Sequence, residues 1–213
     1  AGLYTNNTGA VITKGYEADW HFIKSSLKSG DYVLVSIGVN DLSENNGNIA
    51  KLISSVKGMI QESEGYGANV IICSEPPSAG YQLNGAVYQP GFADYTDVSQ
   101  ALQTAAEECG SSVIYIPLGT VLVSRFKSEI GTPDDEGLLH TEGTVANKYY
   151  CGVSRNVNGA YDYTHLNTAG AKFVAKTAKE LISKTSSGLV SYFTGTNIPS
   201  DTQAEKATLT IGD

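Results

Sequence analysis

Short apolar segments alternate along the chain with longer segments in which apolar residues recur every three or four positions. The short segments have the length of strands and predict β-strands at residues 32–37, 69–73 and 112–116. The longer segments predict helices at residues 48–64, 95–109, 120–129 and 168–184. Because strands that alternate with helices form a parallel sheet covered by those helices, the pattern predicts an α/β fold.

The ends of two helices carry capping signals. Gly110 follows the helix at 95–109 and is suited to end it, and Asn167 or Thr168 is suited to cap the last helix. Residues 131–163, in contrast, show little periodicity and are rich in Gly, Asn and Tyr, which predicts a long loop that is either functional or disordered.

The C-terminal part of the chain changes character. Residues 1–185 are predicted to form the core of one domain, and residues 186–206, which contain Gly and Pro breakers, to form a linker. Residues 207–213 alternate Ala, Leu and Ile with Thr, which predicts a strand that completes the same sheet.

Charge and composition narrow the class of partner. The chain has 213 residues, of which 41% are hydrophobic, and a formal net charge of −8. Such a field repels phosphate backbones and anionic lipids, so neither nucleic acid nor membrane partners are expected. No apolar run approaches the ~20 residues of a membrane span. The 13 Tyr and 23 Gly residues are typical of secreted polysaccharide-active proteins, so we expect an extracellular protein.

The three cysteines do not form a disulfide framework. Cys73 lies in an apolar segment and is expected to be an inert core thiol. Cys109 and Cys151 could pair in an exported protein, and the sequence leaves that pairing open. No Cys, His and Asp cluster has metal-ligand spacing, so no metal site is expected.

The first candidate for chemistry is the segment Asp162-Tyr163-Thr164-His165, directly before the last predicted helix. Histidine is the side chain whose ordinary pKa lies near neutrality, which suits a general base. A carboxylate on its second ring nitrogen fixes the tautomer, and an Asp three residues ahead on a turn before the helix can supply one. The alternative is a solvated loop whose His caps the helix.

The second candidate is the segment Ser36-Ile37-Gly38-Val39-Asn40-Asp41, at the carboxyl end of the first predicted strand. Ligands of open α/β sheets bind beyond this edge. The amide of Asn40 can donate a hydrogen bond to an oxyanion that develops there. The alternative is an ordinary turn after a strand, where Gly, Asn and Asp are common.

In order and spacing, these two motifs together resemble blocks III and V of the SGNH (GDSL-like) ester hydrolases. Residues 29–35 leading into Gly38-Val39-Asn40-Asp41, residues 68–77, and Asp162–His165 continuing to Ala171 look like the rhamnogalacturonan acetylesterase branch. The resemblance covers residues 1–184. It implies a three-layer α/β sandwich with a flavodoxin-like parallel sheet, and hydrolysis of esters through an acyl-serine.

The resemblance also implies a role for individual residues. His165 corresponds to the general base and Asp162 to the carboxylate that orients it, while Asn40 and the backbone N–H of Gly2 correspond to oxyanion-hole donors. The expected substrate is an acetylated oligo- or polysaccharide such as pectin or xylan, and no cofactor is required. Four tyrosines are candidates for a sugar-binding rim: Tyr149, Tyr150, Tyr161 and Tyr163.

The sequence departs from the family at the nucleophile. No Gly-Asp-Ser occurs in the chain, yet its last strand-like segment ends in Gly212-Asp213, which would lie next to the missing serine. In a flavodoxin-like sheet the first strand is central, and an unfilled central slot would leave backbone groups unsatisfied. We therefore expect a circularly permuted or severed domain, completed by a missing segment and by residues 207–211. The alternative is a terminal strand that opens a further domain.

Two other functions remain open at this point. One is a non-catalytic carbohydrate-binding domain of SGNH-like fold. The other is a flavodoxin-like binder of small molecules, against which the lack of any phosphate-cradling glycine loop counts.

Overall fold

The computed structural model describes residues 17–38, 49–83, 87–93, 95–130, 148–157 and 160–193. The chain divides into two compact units. The first unit comprises Ala1–Glu75 and Tyr95–Pro117, and the second comprises Pro76–Asp94 and Leu118–Asp213.

Within the described residues, helices and parallel strands alternate in the first unit and two hairpins characterise the second. In chain order the elements are α1 (Glu17–Ser26), β1 (Tyr32–Val35), α2 (Ile49–Gly65), β2 (Asn69–Cys73), β3 (Ser78–Leu83), β4 (Val87–Ala93), α3 (Thr96–Cys109), β5 (Ile114–Ile116), α4 (Leu118–Ile130), β6 (Tyr150–Val157), β7 (Ala160–Leu166), α5 (Thr168–Ile182) and a 3₁₀ helix (Gly188–Tyr192).

The first unit is built on a parallel three-stranded sheet in the order β1-β2-β5. All three strands were predicted from apolar segments, and the mixed α/β class is confirmed. The predicted helices that became α2, α3, α4 and α5 are also present, with ends shifted by one or two residues. Gly110 ends α3 as predicted, at a φ of 109° that favours glycine.

Alternation along the strands produces the core of the first unit. Val33 is the register partner of Val70, and Val35 of Ile72, so the four side chains share one face of the sheet. That face packs on the apolar stripes of α2 and α3, whose buried members include Leu52, Val56, Ile60, Val98, Leu102 and Ala105. Both helices therefore lie on the sheet because their apolar residues recur with the helical period.

One side of α1 is fixed by Glu62 of α2. The indole N–H of Trp20 donates to one carboxylate oxygen of Glu62, and the Lys24 ammonium contacts the other at 2.9 Å. The Trp20 ring joins the apolar core, with 7% of its surface exposed. A single carboxylate thus anchors the helix through a polar contact at the edge of the core.

The second unit contains two antiparallel hairpins, β3–β4 and β6–β7, that the apolar pattern did not predict. The predicted loop over residues 131–163 is wrong for its C-terminal part, where β6 and β7 lie. These strands carry few of the aliphatic residues that mark a buried strand. The missed signal is an Asn-Gly pair between the strands of each hairpin, Asn84-Gly85 and Asn158-Gly159, which is typical of tight β-turns.

The helices α4 and α5 and the 3₁₀ helix complete the described part of the second unit. Arg125 of α4 donates to the hydroxyl of Thr177 at 3.0 Å and to the carboxylate of Glu180 at 2.7 Å, which ties α4 to α5. The hydrogen bond from Arg125 lowers the pKa of Glu180. None of the helices in the described ranges is both long enough and apolar enough to cross a membrane.

A substitution of Gly38 tests the backbone conformation and the close packing that follow β1. Its φ is +124°, and an added Cβ would lie 2.8 Å from Cγ1 of Val98 and 3.2 Å from a Leu52 methyl group. Gly38→Ala should therefore destabilise the protein by about 1–3 kcal/mol, since both the conformation and the space exclude a side chain. Urea unfolding measures the change.

Gly58→Ala is the matched control for this substitution. Gly58 lies inside α2, and an added Cβ would meet nothing within 4 Å. Alanine there should stabilise the helix by roughly 0.5–1 kcal/mol. Equal effects of the two substitutions would contradict the assigned role of Gly38.

Candidate functional site

The candidate site lies where β7 runs into α5. Asn167 separates the two elements and is the N-cap of α5, with its Oδ1 accepting a hydrogen bond from the N–H of Gly170 at 2.9 Å. This confirms Asn167, of the two residues considered, as the helix cap. The cap satisfies one of the N–H groups that have no partner within the first turn of a helix.

Asp162 and His165 both lie on β7, whereas the sequence predicted a turn before the helix for them. The His165 side chain is exposed. In a regular strand, positions three apart fall on opposite faces, which would separate the two residues of the motif. The strand is not regular here, however, as its pairing with β6 shows.

The ladder between β6 and β7 changes register within the motif. Tyr150 pairs with Leu166, and Gly152 pairs with Asp162. Two steps along β6 therefore oppose four steps along β7, so β7 holds two additional residues between Asp162 and Leu166. Such bulges bend a strand and re-aim its side chains, and they are frequent beside active sites.

The side-chain amide of Asn167 fixes the helix end of this irregular stretch. Its Nδ2 donates to the carbonyl oxygens of Lys148 at 3.1 Å and Tyr150 at 3.0 Å, and its backbone N–H donates to Tyr149 O at 3.0 Å. Three consecutive carbonyls are thereby bound by one residue. The sequence indicated Asn167 or Thr168 as the cap. It gave no signal for these bonds, because they join segments 17 to 19 residues apart.

Tyr149 and Tyr150 are core residues, which corrects their assignment to a sugar-binding rim. Their side chains are 5% and 1% exposed. The Tyr149 ring stacks on Phe126 at 5.2 Å between centroids and lies 5.0 Å from Phe173, and the Tyr150 hydroxyl donates to Pro77 O. Both aromatic rings are drawn inside because the cluster buries a large apolar area and the hydroxyl of Tyr150 has an internal acceptor.

Gly170 lets α5 approach the same segment. A Cβ at this position would lie 2.0 Å from the carbonyl oxygen of Tyr149 and 3.0 Å from a Leu166 methyl group. Only glycine therefore fits between the first turn of α5 and the Tyr149 carbonyl.

The other predicted site residues lie outside what the structure describes. These are Gly2, Asn40, Gly212 and Asp213, together with the side chains of Asp162, Tyr161 and Tyr163, whose backbone belongs to β7. The strand predicted at residues 207–211 also falls outside. In the described portion of the chain, no group of three or more His, Cys, Asp and Glu side chains is arranged to hold a metal ion.

None of the three cysteines, all of which lie in the described ranges, forms a disulfide. Cys73 is 1% exposed, as predicted for a core thiol, and burial raises its pKa to about 12. Burial also raises the pKa of Cys109 and of the Tyr115 phenol, whose hydroxyl donates to Ser99 O at 3.1 Å. Because the thiolate is the reactive form of cysteine, Cys73 is unsuited to replace a serine nucleophile.

The fold resembles a solved structure, that of protein YxiM from Bacillus subtilis, with a TM-score of 0.57 and 21% sequence identity. The match covers 82% of this chain and 43% of that protein, so the chain spans less than half of its length. At this identity the likeness supports a related α/β fold and nothing further. No protein-family model matches the chain, and no curated protein matches it.

Gly170→Ala tests the close approach of α5 to residue 149. The added methyl group meets a backbone carbonyl, which cannot rotate away as a side chain can, so we expect a loss of about 1–3 kcal/mol or more in urea unfolding. Gly65→Ala is the control, because Gly65 ends α2 with open space around it. A tolerated Gly170→Ala would show that the two segments are not in contact.

Alkylation of Cys73 tests whether its thiol is buried. A thiol with a pKa of about 12 is almost wholly protonated at pH 8, and its sulfur is covered by the core. Iodoacetamide at pH 8 should leave Cys73 unmodified in the native protein and modify it after unfolding in urea, as read by peptide mass spectrometry. Rapid labelling of native Cys73 would contradict the burial.

Proposed function

We propose that this chain supplies the acid–base half of a secreted SGNH-type ester hydrolase that removes acetyl groups from plant polysaccharide. One observation carries the proposal. The exposed His165 stands in a bulged stretch of β7, one residue ahead of Leu166 and two ahead of the N-cap of α5. The resemblance likewise places the base of the family just ahead of the last helix, although on a turn, and bulges are frequent beside active sites.

The sheet of the first unit is a second support. Its order β1-β2-β5 is what the last three strands of a 2-1-3-4-5 flavodoxin-like sheet would produce. Gly38 is buried directly after β1, so the Gly-x-Asn-Asp motif begins at the carboxyl end of a parallel strand. Ligands of open α/β sheets bind at that end, which suits Asn40 as an oxyanion donor.

The proposed reaction proceeds in two balanced steps. The serine Oγ attacks the acetyl carbonyl while His165 takes the hydroxyl proton, and the oxyanion is held by Asn40 and the N–H of Gly2. Collapse transfers that proton to the departing sugar oxygen and leaves an acetyl-serine. Water then attacks the acetyl group with His165 as base, and the proton returns to the serine as acetate leaves. Asp162 is assigned to orient and stabilise the imidazole.

The serine itself is not supplied by a Gly-Asp-Ser in these 213 residues. The resemblance implies that it directly follows a Gly-Asp pair at the end of a strand. The tyrosines Tyr161 and Tyr163 remain candidates for the sugar-binding rim of an extracellular enzyme. Acetylated pectin or xylan is the proposed substrate class.

The competing function is carbohydrate binding without catalysis by a domain of the same fold. The observation that favours it is the lack of the nucleophile motif in the chain. Both functions predict binding of acetylated polysaccharide, and only the hydrolase releases acetate.

His165→Ala tests the proposal in the complete product of the gene, called the extended protein below. Removal of the base should lower kcat for acetate release from acetylated pectin or xylan by at least ~10³-fold, with the fold retained by circular dichroism. Lys176→Ala, exposed on α5, is the control and should retain full activity.

The result separates the two functions. If the extended protein binds the polysaccharide but releases no acetate, the carbohydrate-binding function is correct. If His165→Ala hydrolyses at nearly the rate of the unchanged protein, His165 is not the base.

A further inference from the structure

Asn167 carries two sets of hydrogen bonds, and only one of them caps a helix. Its Oδ1 accepts from Gly170 N–H, which is the capping bond. Its Nδ2 donates to the carbonyl oxygens of Lys148 and Tyr150, which contributes nothing to the first turn of α5. Aspartate caps helices as well as asparagine does but has no side-chain N–H to donate. The two sets can therefore be separated by substitution.

The second set ties the end of β7 to the start of β6. Besides the two amide bonds, the backbone N–H of Asn167 donates to Tyr149 O at 3.0 Å. The neighbouring thiol of Cys151 lies 3.6 Å from the carbonyl of Leu166, to which it donates. Residues 166 and 167 are thus attached to residues 148–151 through backbone and side chain alike.

This attachment lies immediately beside the stretch where the ladder loses its regular register. Between Asp162 and Leu166 the pairing changes by two residues, so the ladder by itself does not define the position of His165. On the helix side, the Tyr150–Leu166 pair and the junction at Asn167 are the fixed points, one and two residues away. The packing of Gly170 against the Tyr149 carbonyl holds α5 at the same place.

We infer that Asn167 is a positioning residue for His165: its amide N–H groups hold the irregular end of β7 against residues 148–150 and so fix where the imidazole stands. What His165 does from that position rests on the proposed function. The positioning by Asn167 does not rest on that function, because its hydrogen bonds to the carbonyls of residues 148–150 are independent of any activity. Asn167 is therefore assigned no direct contact with substrate.

Asn167→Asp isolates this role. The variant retains the capping acceptor for Gly170 and loses both N–H donors, and its carboxylate is repelled by the carbonyls of Lys148 and Tyr150. The matched control is Asn69→Asp, which makes the same change in charge at an exposed amide that donates to Asp31 O at 3.3 Å in the first unit.

Two measurements on the 213-residue protein need no enzymatic activity. Amide hydrogen exchange should accelerate about tenfold at the N–H of residue 167 in Asn167→Asp, and stay unchanged at the N–H of Gly170. Carbon-13 relaxation of the His165 ring should show increased motion. Asn69→Asp should leave all three signals as they are.

Activity of the extended protein supplies a third measurement. In Asn167→Asp, kcat should fall by up to about 100-fold while KM changes little, because a displaced base slows the chemical step without removing a substrate contact. An extended protein that has no hydrolase activity would overturn the proposed function and leave the exchange and relaxation data to decide the role of Asn167.

Three outcomes would overturn the inference. If exchange accelerates at Gly170 as much as at residue 167, the loss of the amide bonds acts through the helix cap and not on the strand end. If neither the exchange at residue 167 nor the His165 ring motion changes, the amide bonds do not fix the strand end. If an active extended protein retains its kcat in Asn167→Asp, the position of His165 does not depend on Asn167.

Discussion

The second unit depends on one asparagine that satisfies polar groups on both sides of a chain junction. Without Asn167, the first turn of α5 would lose a partner for the Gly170 N–H, and the carbonyls of Lys148 and Tyr150 would lose their donors. The bonds to the Gly170 N–H and the Tyr150 carbonyl are partly buried, so a hydrocarbon side chain in place of the amide would be unfavourable there. The Tyr149–Phe126–Phe173 aromatic cluster then packs beside a backbone that is already fixed.

The first unit is stabilised differently, through aliphatic packing. Valines and isoleucines of β1 and β2 meet the apolar stripes of α2 and α3, and polar contacts such as Trp20 with Glu62 lie at the margin. Its geometry follows from short-range periodicity, whereas the second unit relies on specific hydrogen bonds between distant segments. For this reason the positions of the candidate site residues in the second unit were harder to predict from the sequence than the strands of the first unit.

The candidate catalytic motif lies in irregular backbone. The bulged stretch of β7 carries Asp162 and His165 of the candidate catalytic motif, and it ends where Asn167 and Gly170 bring two segments into close contact. A regular ladder would separate positions three apart. A bulge held at one end leaves the His165 side chain exposed on a strand whose next residues are packed.

The sequence by itself determined the three parallel strands, the four helices α2 to α5, the Gly110 cap and the buried character of Cys73, and it narrowed the cap of α5 to Asn167 or Thr168. Each of these depends on periodicity or on a local backbone preference, which neighbouring residues contain. Only the tertiary structure decided that residues 150–166 form a hairpin, that Tyr149 and Tyr150 lie in the core, and that Asn167 binds three carbonyls far away in sequence. Tyrosine suits a core and a sugar-binding rim equally well, and an asparagine cap looks the same whether or not its N–H groups have partners. The contacts that settle such cases join distant segments, which no local pattern encodes.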